Sequence, residues 1–397
     1  MILRKAHKFR IKTNVSTQSV FSQYAGCCRF VWNKALAIQK QRLDDGEYCL
    51  SYKDLANHLP TWKREEPTAF LKIPPAQALQ QKLKDLDRAV KDAFDKSQPD
   101  KRFPVFKKKF RHDSFRYPQG FKLSGSRIFL PKVGWVRFFK SREILGKPKN
   151  VTVSRQGKHW FVSIQTEQKI ADPVHPSGSM VGIDLGVKRF AALSTGEFVD
   201  PVNSFKRWQD KLAREQRNLS RKVKFSANWR KQKARISALH TKIANVRNDF
   251  LHKVSTTISK NHAMIVMEDL RIKNMSTSAK GTVEQPGKNV RQKAGLNRSI
   301  LDQGWGNFRR MLEYKQGWNG GEVMLVPAMY TSQRCPECGH VDKDNRRSQA
   351  VFKCVTCGYE KNADLNAANN ILAAGHAVLA CGGTGISHPM KQEPLAA

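Results

Sequence analysis

Two pairs of cysteines form the most specific chemical pattern in the sequence. Cys335 and Cys338 are separated by two residues, as are Cys354 and Cys357, and 15 residues lie between the two pairs. This spacing allows two knuckles to present four thiolates tetrahedrally to one Zn²⁺ ion. Such a site leaves no open coordination position, so we predict a structural rather than a catalytic zinc. A redox disulfide or a chance pairing is the alternative, which a reducing compartment disfavours.

Three acidic residues stand where a carboxylate is costly unless it has a partner. Asp184 and Glu268 each end a short apolar segment, and Asp364 begins a helical one. Taken singly, each is better explained as a helix cap or a surface acid. Together, two buried strand ends and a helix start can bring three carboxylates to a pair of Mg²⁺ ions, which activate water and stabilise the leaving oxygen in phosphodiester hydrolysis. Asp269 would point to the opposite face of a continued strand and is the weaker candidate.

The segments that carry these acids predict a sheet with helices. Residues 180–184, 190–193 and 263–267 have the apolar composition of buried strands. A helical stretch from about 205 to 260 carries 16 Lys or Arg against three acids, so we predict a basic helical arm or hairpin. A Pro/Gly/Ser-rich segment at 171–179 predicts a domain boundary before the first of these strands.

The first half of the chain has a different organisation. Residues 1–12 alternate as a strand with one polar face, and residues 15–98 have the spacing of a small helical domain, whose loops are marked by prolines that include Pro60. Residues 101–149 contain 15 Lys or Arg and two acids, interleaved with aromatic side chains. Short alternating runs in and after this segment predict a β-barrel or sandwich with a basic face.

The charge of the chain narrows its function further. Its 397 residues include 71 Lys and Arg against 33 Asp and Glu, a formal net charge of +38. A cationic segment alone is equally typical of a solvated surface, but interleaved aromatic rings favour nucleic acid, because bases stack on rings while cations hold phosphates. The absence of a long apolar run excludes a membrane-spanning segment, and we predict a cytoplasmic, nucleoid-associated protein.

A series of short motifs covers nearly the whole chain in order. They are CRFVWN at 28–33, GIDLGV at 182–187, VMEDL at 266–270, GWG at 304–306, YTSQRCPECG at 330–339 and DLNAANNI at 364–371. In these motifs the sequence resembles TnpB, the family of RNA-guided DNA endonucleases encoded by bacterial insertion sequences and ancestral to type V CRISPR effectors.

The resemblance implies a multidomain α+β protein with two lobes. One lobe would join a wedge-like β-barrel to an inserted helical recognition domain. The other would be an RNase H-like (RuvC) α/β nuclease domain with an inserted zinc ribbon, followed by a disordered tail. The implied bounds are 1–14 and 100–175 for the wedge, 15–99 for the helical domain, 180–331 and 359–375 for the nuclease domain, 332–358 for the ribbon and 376–397 for the tail.

The resemblance also implies the site and its partners. By the family's pattern, Asp184, Glu268 and Asp364 are the catalytic acids that bind Mg²⁺, expected as two ions beside one structural Zn²⁺. The implied activity is a Mg²⁺-dependent double-strand break in DNA beside a short adjacent motif, guided by a structured RNA from the right end of the element. Base pairing would read the target while the protein reads the motif and duplex shape. We expect a monomeric ribonucleoprotein with no membrane partner.

Two residues of the helical domain are candidates for reading the adjacent motif. Tyr52 and Gln80 carry side chains suited to base contacts, since a Gln amide pairs bidentately with adenine. An ordinary helix-surface glutamine is the better explanation of Gln80 from the sequence alone.

Three other functions stay open at this point. A repressor or transposition regulator would use its RNA to bind DNA without cutting it. Relatives that became repressors lack one or more of the three acids, so their presence in this sequence counts against this function. A transposase or junction resolvase would act on DNA without RNA, which would leave the basic, aromatic segment without an obvious partner. A compact type V CRISPR effector would share the chemistry and differ in genomic context.

Overall fold

The chain divides between Ile170 and Ala171 into two units of the computed structural model, which describes residues 1–109, 111 and 113–380. The first unit contains α1 (Val15–Asp44), α2 (Tyr52–Arg64), α3 (Ala76–Phe94) and the strands β1 (Ile2–Arg10), β2 (Ser114–Tyr117), β3 (Lys122–Ser124), β4 (Arg127–Leu130), β5 (Gly134–Arg137), β6 (Lys147–Gln156) and β7 (His159–Lys169).

Alternation of buried and exposed residues builds the main sheet of this unit. Its strand order is β1-β7-β6-β2, and every neighbouring pair is antiparallel. Along β1 the buried residues are Leu3, His7 and Phe9, as the predicted strand with one polar face requires. A second sheet has the order β3-β4-β5, and an isolated bridge joins Ile11 to Phe138. Closure of these sheets into a barrel stays a prediction.

The helices of the first unit pack on this sheet through aromatic residues. The ring of Phe21 on α1 lies 5.3 Å from that of Trp160 and 5.6 Å from that of Phe115, centroid to centroid. Pro60, which the sequence analysis places in a loop, lies inside α2. The helix continues through the missing amide, and its buried residues Leu55, Leu59 and Trp62 lie on both sides of the proline. We attribute the helix to this apolar packing.

The second unit contains a mixed sheet with helices on both faces. Its elements are β8 (Met180–Leu185), β9 (Ala191–Leu193), β10 (Phe198–Val199), α4 (Gln209–Ser220), α5 (Ala227–Asn261), β11 (Met264–Glu268), α6 (Ile272–Met275), α7 (Val290–Gln303), α8 (Trp305–Asn319), β12 (Glu322–Val326), β13 (Val351–Lys353), β14 (Glu360–Asn362) and α9 (Ala363–Ala380).

The order of that sheet is β10-β9-β8-β11-β12, with β8, β11 and β12 parallel. Residues on β11 alternate between two cores. Ile265 and Met267 pack in a cluster with Leu251 of α5 and Phe308 of α8, whereas Val266 packs on the other face with Ile371 of α9. This parity decides which strand residues face α9.

Helix α9 extends beyond the end predicted for it. Residues 376–380, predicted to belong to a disordered tail, continue α9, because the Ala-rich sequence through Ala380 favours helix; residues 381–397 of that predicted tail lie outside the described residues. In the part of the chain that the structure describes, we find no helix with the length and apolarity needed to cross a membrane.

Candidate catalytic and metal sites

Asp184 and Glu268 lie at the same level of neighbouring parallel strands. Ile183 of β8 pairs with Met267 of β11, so the two acids follow at the next position of each strand. Ile183 and Met267 face the core under α5 and α8. The acids therefore face the opposite side, on which α9 packs.

Asp364 reaches this side from the first turn of α9. The side-chain oxygen of Asn362 accepts hydrogen bonds from the amides of Asp364 (3.0 Å) and Leu365 (3.3 Å). This arrangement caps the helix, so Asp364 is not needed as the cap and its carboxylate is free to face the sheet. The three acids predicted from the sequence thus lie on one side of the sheet, near enough for the charges of Glu268 and Asp364 to act on Asp184, although their carboxylate oxygens do not all lie within 4.8 Å of one another.

The electrostatics of Asp184 and Glu268 favour a bound cation. Burial, followed by the charges of Glu268 and Asp364, raises the pKa of Asp184 to about 7. Burial also raises the pKa of Glu268, and a hydrogen bond from Thr331 opposes that shift. A bound cation stabilises the ionised form of neighbouring carboxylates. Mg²⁺ prefers oxygen ligands such as these. The donor set fits Mg²⁺.

Two residues that the sequence analysis did not assign complete this group. The Thr331 hydroxyl donates to Glu268 Oε1 at 2.5 Å, and Arg346 Nη2 donates to Asp364 Oδ1 at 3.1 Å. Thr331 lies inside the motif at 330–339, which could have drawn attention to it. Arg346 lies between the two cysteine pairs, next to the exposed basic residues Lys343 and Arg347, and no sequence signal distinguishes it from them.

Two asparagines of α9 join the helix to the segment that carries Thr331. Asn370 Nδ2 donates to the carbonyls of Thr331 and Arg334, both at 2.8 Å. Asn366 Nδ2 donates to the same Arg334 carbonyl at 3.2 Å. Residues four apart lie on one helix face, so one face of α9 fixes the chain just before the first cysteine knuckle.

Asp269 is separated from the site, as the alternation of the strand predicts. Its side chain is exposed and forms an ion pair with Arg309 of α8, with Nη1 2.8 Å from Oδ1. The neighbouring acids Glu268 and Asp269 thus differ in face, burial and partner.

The four cysteines form a compact group. Cys335 Sγ lies 3.6 Å from Cys357 Sγ, and Cys338 Sγ lies 3.6 Å from Cys354 Sγ. These distances exceed a disulfide bond and approach the ~3.8 Å edge of a tetrahedron with Zn–S bonds of about 2.3 Å. Among the described residues this is the one group of three or more His, Cys, Asp or Glu whose ligand atoms all lie within 4.8 Å of one another. The donor set fits Zn²⁺.

The two knuckles have the same backbone geometry. The Cys335 amide donates to the His340 carbonyl and the Cys354 amide to the Tyr359 carbonyl, both at 2.8 Å. Gly339 and Gly358 have φ of +75° and +74°, a conformation that favours glycine. An amide hydrogen bond from Cys357 is the largest cause that lowers the pKa of Cys354, to about 6. A thiolate is the form that binds metal.

The two candidate motif-reading residues lie on neighbouring helices of the first unit. The Tyr52 amide, at the start of α2, donates to Asp87 Oδ1 at 3.1 Å, and the Lys84 ammonium lies 4.9 Å from the Tyr52 ring centroid. Gln80 is half-buried on α3, one turn before Lys84 and therefore on the same face. Their role in reading DNA stays a prediction.

The aromatic residues of the basic segment 101–149 divide into two groups. Phe115 and Tyr117 are fully buried and form the core of the first unit, so they are unavailable to bases. Phe106, Trp135 and Phe139 remain about half exposed. Aromatic composition alone overstates the stacking surface, because β2 turns both Phe115 and Tyr117, two residues apart, to its buried face.

Three family models match the chain. The IS605 OrfB model, described as a probable transposase, matches residues 160–279. A model of the Cas12f1-like TNB domain matches residues 305–371, and a helix-turn-helix domain of IS605 OrfB matches residues 1–47.

The chain is similar to curated proteins over nearly its full length. It is 56% identical to a protein of Escherichia coli (strain K12) named as an RNA-guided DNA endonuclease, InsQ, covering 98% of this chain and 97% of that one. It is 33% identical to a protein of Streptomyces pristinaespiralis that is also named as an RNA-guided DNA endonuclease, over 96% and 91% of the two chains. Its fold is similar to that of Cas12f1 in a cryo-EM complex with guide RNA and target DNA, with a TM-score of 0.56, 14% identity and coverage of 93% and 98%.

Proposed function

The chain belongs to the TnpB family of insertion-sequence proteins, and on this premise we propose that it is an RNA-guided DNA endonuclease that cuts both strands of its target in a Mg²⁺-dependent reaction. The observation that carries the nuclease activity is the group formed by Asp184, Glu268 and Asp364 on the α9 side of the sheet. All three acids are retained, which favours cleavage over guided binding alone.

The residues of the site have distinct roles in this proposal. Two Mg²⁺ ions, when bound by the three carboxylates, supply activation of water and stabilisation of the leaving oxygen. Thr331 orients the Glu268 carboxylate through its 2.5 Å hydrogen bond, and Asn370 holds the Thr331 backbone against α9. Arg346 offsets the negative charge of Asp364. The four cysteines would hold one structural Zn²⁺, and that cross-link would keep the segment with Thr331 and Arg346 folded beside the acids.

The partners follow from the family and the charge. We propose that the guide is a structured RNA from the right end of the element, and that the target is double-stranded DNA with a short adjacent motif, for which Tyr52 and Gln80 are candidate contacts. A charge of +38 is far more than one short duplex site would require, and a long RNA with a DNA heteroduplex would use it.

The test is cleavage of a plasmid library with randomised flanks around one target. The protein is co-expressed with the right-end RNA of its element, and the reaction is run with Mg²⁺ and with EDTA. Glu268→Gln is expected to lower the cleavage rate on the order of a thousand-fold while RNA and DNA binding persist, since charge stabilisation by metal supplies several kcal/mol.

The adjacent Asp269→Asn provides the matched control, because it removes the same charge from the residue that follows β11, whose side chain pairs with Arg309 of α8. It is expected to cut at the wild-type rate. Unchanged cleavage in Glu268→Gln would overturn the site assignment. Guided binding without cleavage by the wild type would favour the repressor, and cleavage that survives RNase treatment would favour a transposase or resolvase.

A further inference from the structure

The connection between α4 and α5 exposes apolar side chains in a strongly cationic environment. We define residues 221–235 as the hairpin tip. Val223 and Phe225 are 79% and 63% exposed, although both could have packed inward in an ordinary helical connection. Between Glu215 and Asp249 the chain has ten Lys or Arg and no Asp or Glu.

Phe225 is held in a costly backbone conformation. Its φ is +68°, a region that a bulky residue rarely adopts and that costs of the order of 1–3 kcal/mol. The ring lies 5.4 Å from that of Trp229, centroid to centroid. Lys224 lies 5.4 Å from the Phe225 ring and Lys233 lies 4.8 Å from the Trp229 ring. Burial does not compensate for this strain, so a binding role is the better explanation.

The base of the tip is rigid. Ser226 Oγ accepts the amide of Trp229 at 3.1 Å and caps α5. Gln232 is buried, and its Nε2 donates to the Glu215 carbonyl at 2.9 Å and to Glu215 Oε2 at 2.5 Å. These bonds tie α5 to α4 and occupy the carboxylate of Glu215, the acid nearest the tip in the sequence.

A cationic pocket lies in the same hairpin tip, lined by residues that flank Phe225 and Trp229 in the sequence. Its volume is about 400 Å³, and four cationic side chains line it: Arg221, Lys222, Arg235 and Lys231. Fixed cations around a concave surface attract phosphate oxygens. Aromatic rings and cations in one segment are the combination with which proteins bind single-stranded nucleic acid, because every base has a face that can stack.

We propose that the hairpin tip binds an unpaired segment of RNA, with a base stacked on Phe225 and Trp229 and the adjoining phosphates held by the cations of the pocket. The proposal rests on the proposed function and names one surface at which the guide RNA is bound. RNA is favoured over target DNA because unpaired loops are a permanent feature of a structured RNA, whereas the target arrives as a duplex whose bases are already stacked.

The first test uses Phe225→Gly in the full-length chain, freed of RNA. Glycine adopts a positive φ without strain, so this variant removes the ring and is expected to unfold at the wild-type temperature or above. Affinity is measured for a fluorescent oligouridylate of about 20 nucleotides, longer than the segment one single-strand module covers. We expect Phe225→Gly to bind this RNA roughly ten-fold more weakly than the wild type, as the loss of one stacked base predicts. On an oligomer of the same length without bases, the variant and the wild type are expected to bind equally.

The second test separates the cations from the rings. Lys231→Ala removes a pocket cation, and Lys253→Ala removes one from an exposed pair with Asp249 on the same helix, so the net charge changes equally. Lys231→Ala is expected to lower the salt slope of RNA binding by about 0.7, the value for one phosphate of a single strand. Lys253→Ala and Phe225→Gly are expected to leave that slope unchanged.

Three outcomes would overturn the proposal. They are wild-type RNA affinity in Phe225→Gly, equal effects of Lys231→Ala and Lys253→Ala, and weakened binding of oligothymidylate with unchanged binding of oligouridylate. Failure here with motif-dependent cleavage intact would leave the proposed function standing. Absence of any guided cleavage by the wild type would instead remove the premise on which the guide RNA was named.

Discussion

Arg346 directly contacts one of the three carboxylates that we propose to be catalytic. Its guanidinium lies 3.1 Å from Asp364 Oδ1, and its charge lowers the pKa of Asp184 against the stronger effects of burial and the two neighbouring acids. A guanidinium cannot activate water in the way a divalent ion does, so the pair is best explained as charge balance at a group that would otherwise be strongly anionic.

Arg346→Gln is expected to strengthen Mg²⁺ binding at alkaline pH. Removing one positive charge leaves the carboxylates more attractive to a cation, by roughly 1 kcal/mol or five-fold in affinity. It also removes a charge that lowers the pKa of Asp184, so that this pKa rises above its value of about 7. Because Mg²⁺ binds the ionised carboxylate, protons compete as the pH falls, and the pH at which Mg²⁺ binding weakens should move upward in the variant.

The measurement is the Mg²⁺ concentration that gives half of the full rise in melting temperature, at about pH 6 and about pH 8.5. Arg347→Gln, at the exposed neighbouring position, removes the same charge without the contact and should match the wild type at both values. Weaker Mg²⁺ binding at pH 8.5 in Arg346→Gln would contradict the charge-balance role.

At this scale the sequence predicts residues whose chemistry is unusual for their position. A carboxylate at the end of an apolar strand and a doubled cysteine pair are such cases, and the structure groups both sets. Thr331 and Arg346 are common residue types in polar segments, and only the packing of α9 against residues 331–334 brings them to the acids. Their contacts depend on tertiary structure, which local sequence does not encode.

Helix α9 is positioned on the sheet by the absence of a side chain. A Cβ at Gly182 would lie 2.2 Å from the Ala368 carbonyl oxygen and 2.8 Å from the Leu372 amide nitrogen. Both are backbone atoms of α9 and cannot move aside alone. The close approach of β8 to α9 therefore depends on glycine at this position, and with it the distance of Asp364 from Asp184.

Gly182→Ala is expected to displace α9 and to impair cleavage more than it destabilises the fold. Overpacking of this kind costs about 1–3 kcal/mol in the free energy of unfolding. Cleavage should fall at least ten-fold, since small displacements of catalytic groups are costly. Gly178→Ala is the control, because its Cβ would contact no atom within 4 Å. Denaturant unfolding and plasmid cleavage would measure the two effects, and wild-type cleavage in Gly182→Ala would show that α9 need not pack this closely.

Helices and strands can be predicted from the sequence where the apolar residues follow a single periodicity. Strands β8 and β11 and helix α9 lie where apolar runs placed them, and the parity of β11 separates Glu268 from Asp269 as the alternation requires. Pro60 and residues 376–380 were assigned wrongly to a loop and a tail. In both cases local composition predicts a loop or a disordered tail. The helix instead depends on packing in the first case and on helix propensity along the whole segment in the second.

The charge of the whole molecule opposes its own folding until a polyanion binds. A net charge of +38 produces self-repulsion, which salt screens as the Debye length falls from about 10 Å at 0.1 M to about 3 Å at 1 M. Binding of RNA reverses the effect of salt on stability. Each neutralised phosphate releases counterions, and the free energy gained from this release decreases as the salt concentration rises. Free and RNA-bound protein should therefore respond to salt with opposite signs.

We expect the melting temperature of the free chain to rise with NaCl and that of the RNA complex to fall, so that the two curves converge. With six to ten phosphate contacts, affinity decreases about 10³- to 10⁵-fold between ~50 and ~200 mM salt, which removes about 4 kcal/mol or more of the stabilisation due to RNA. The measurement is thermal unfolding across a NaCl series, with and without the RNA recovered from co-expression. An uncharged-backbone analogue of that RNA should give the curve of the free chain. Parallel curves for free and RNA-bound protein would mean that the cationic surface does not bind phosphates. Binding through bases alone releases few counterions, so the RNA affinity would not decrease as the salt concentration rises.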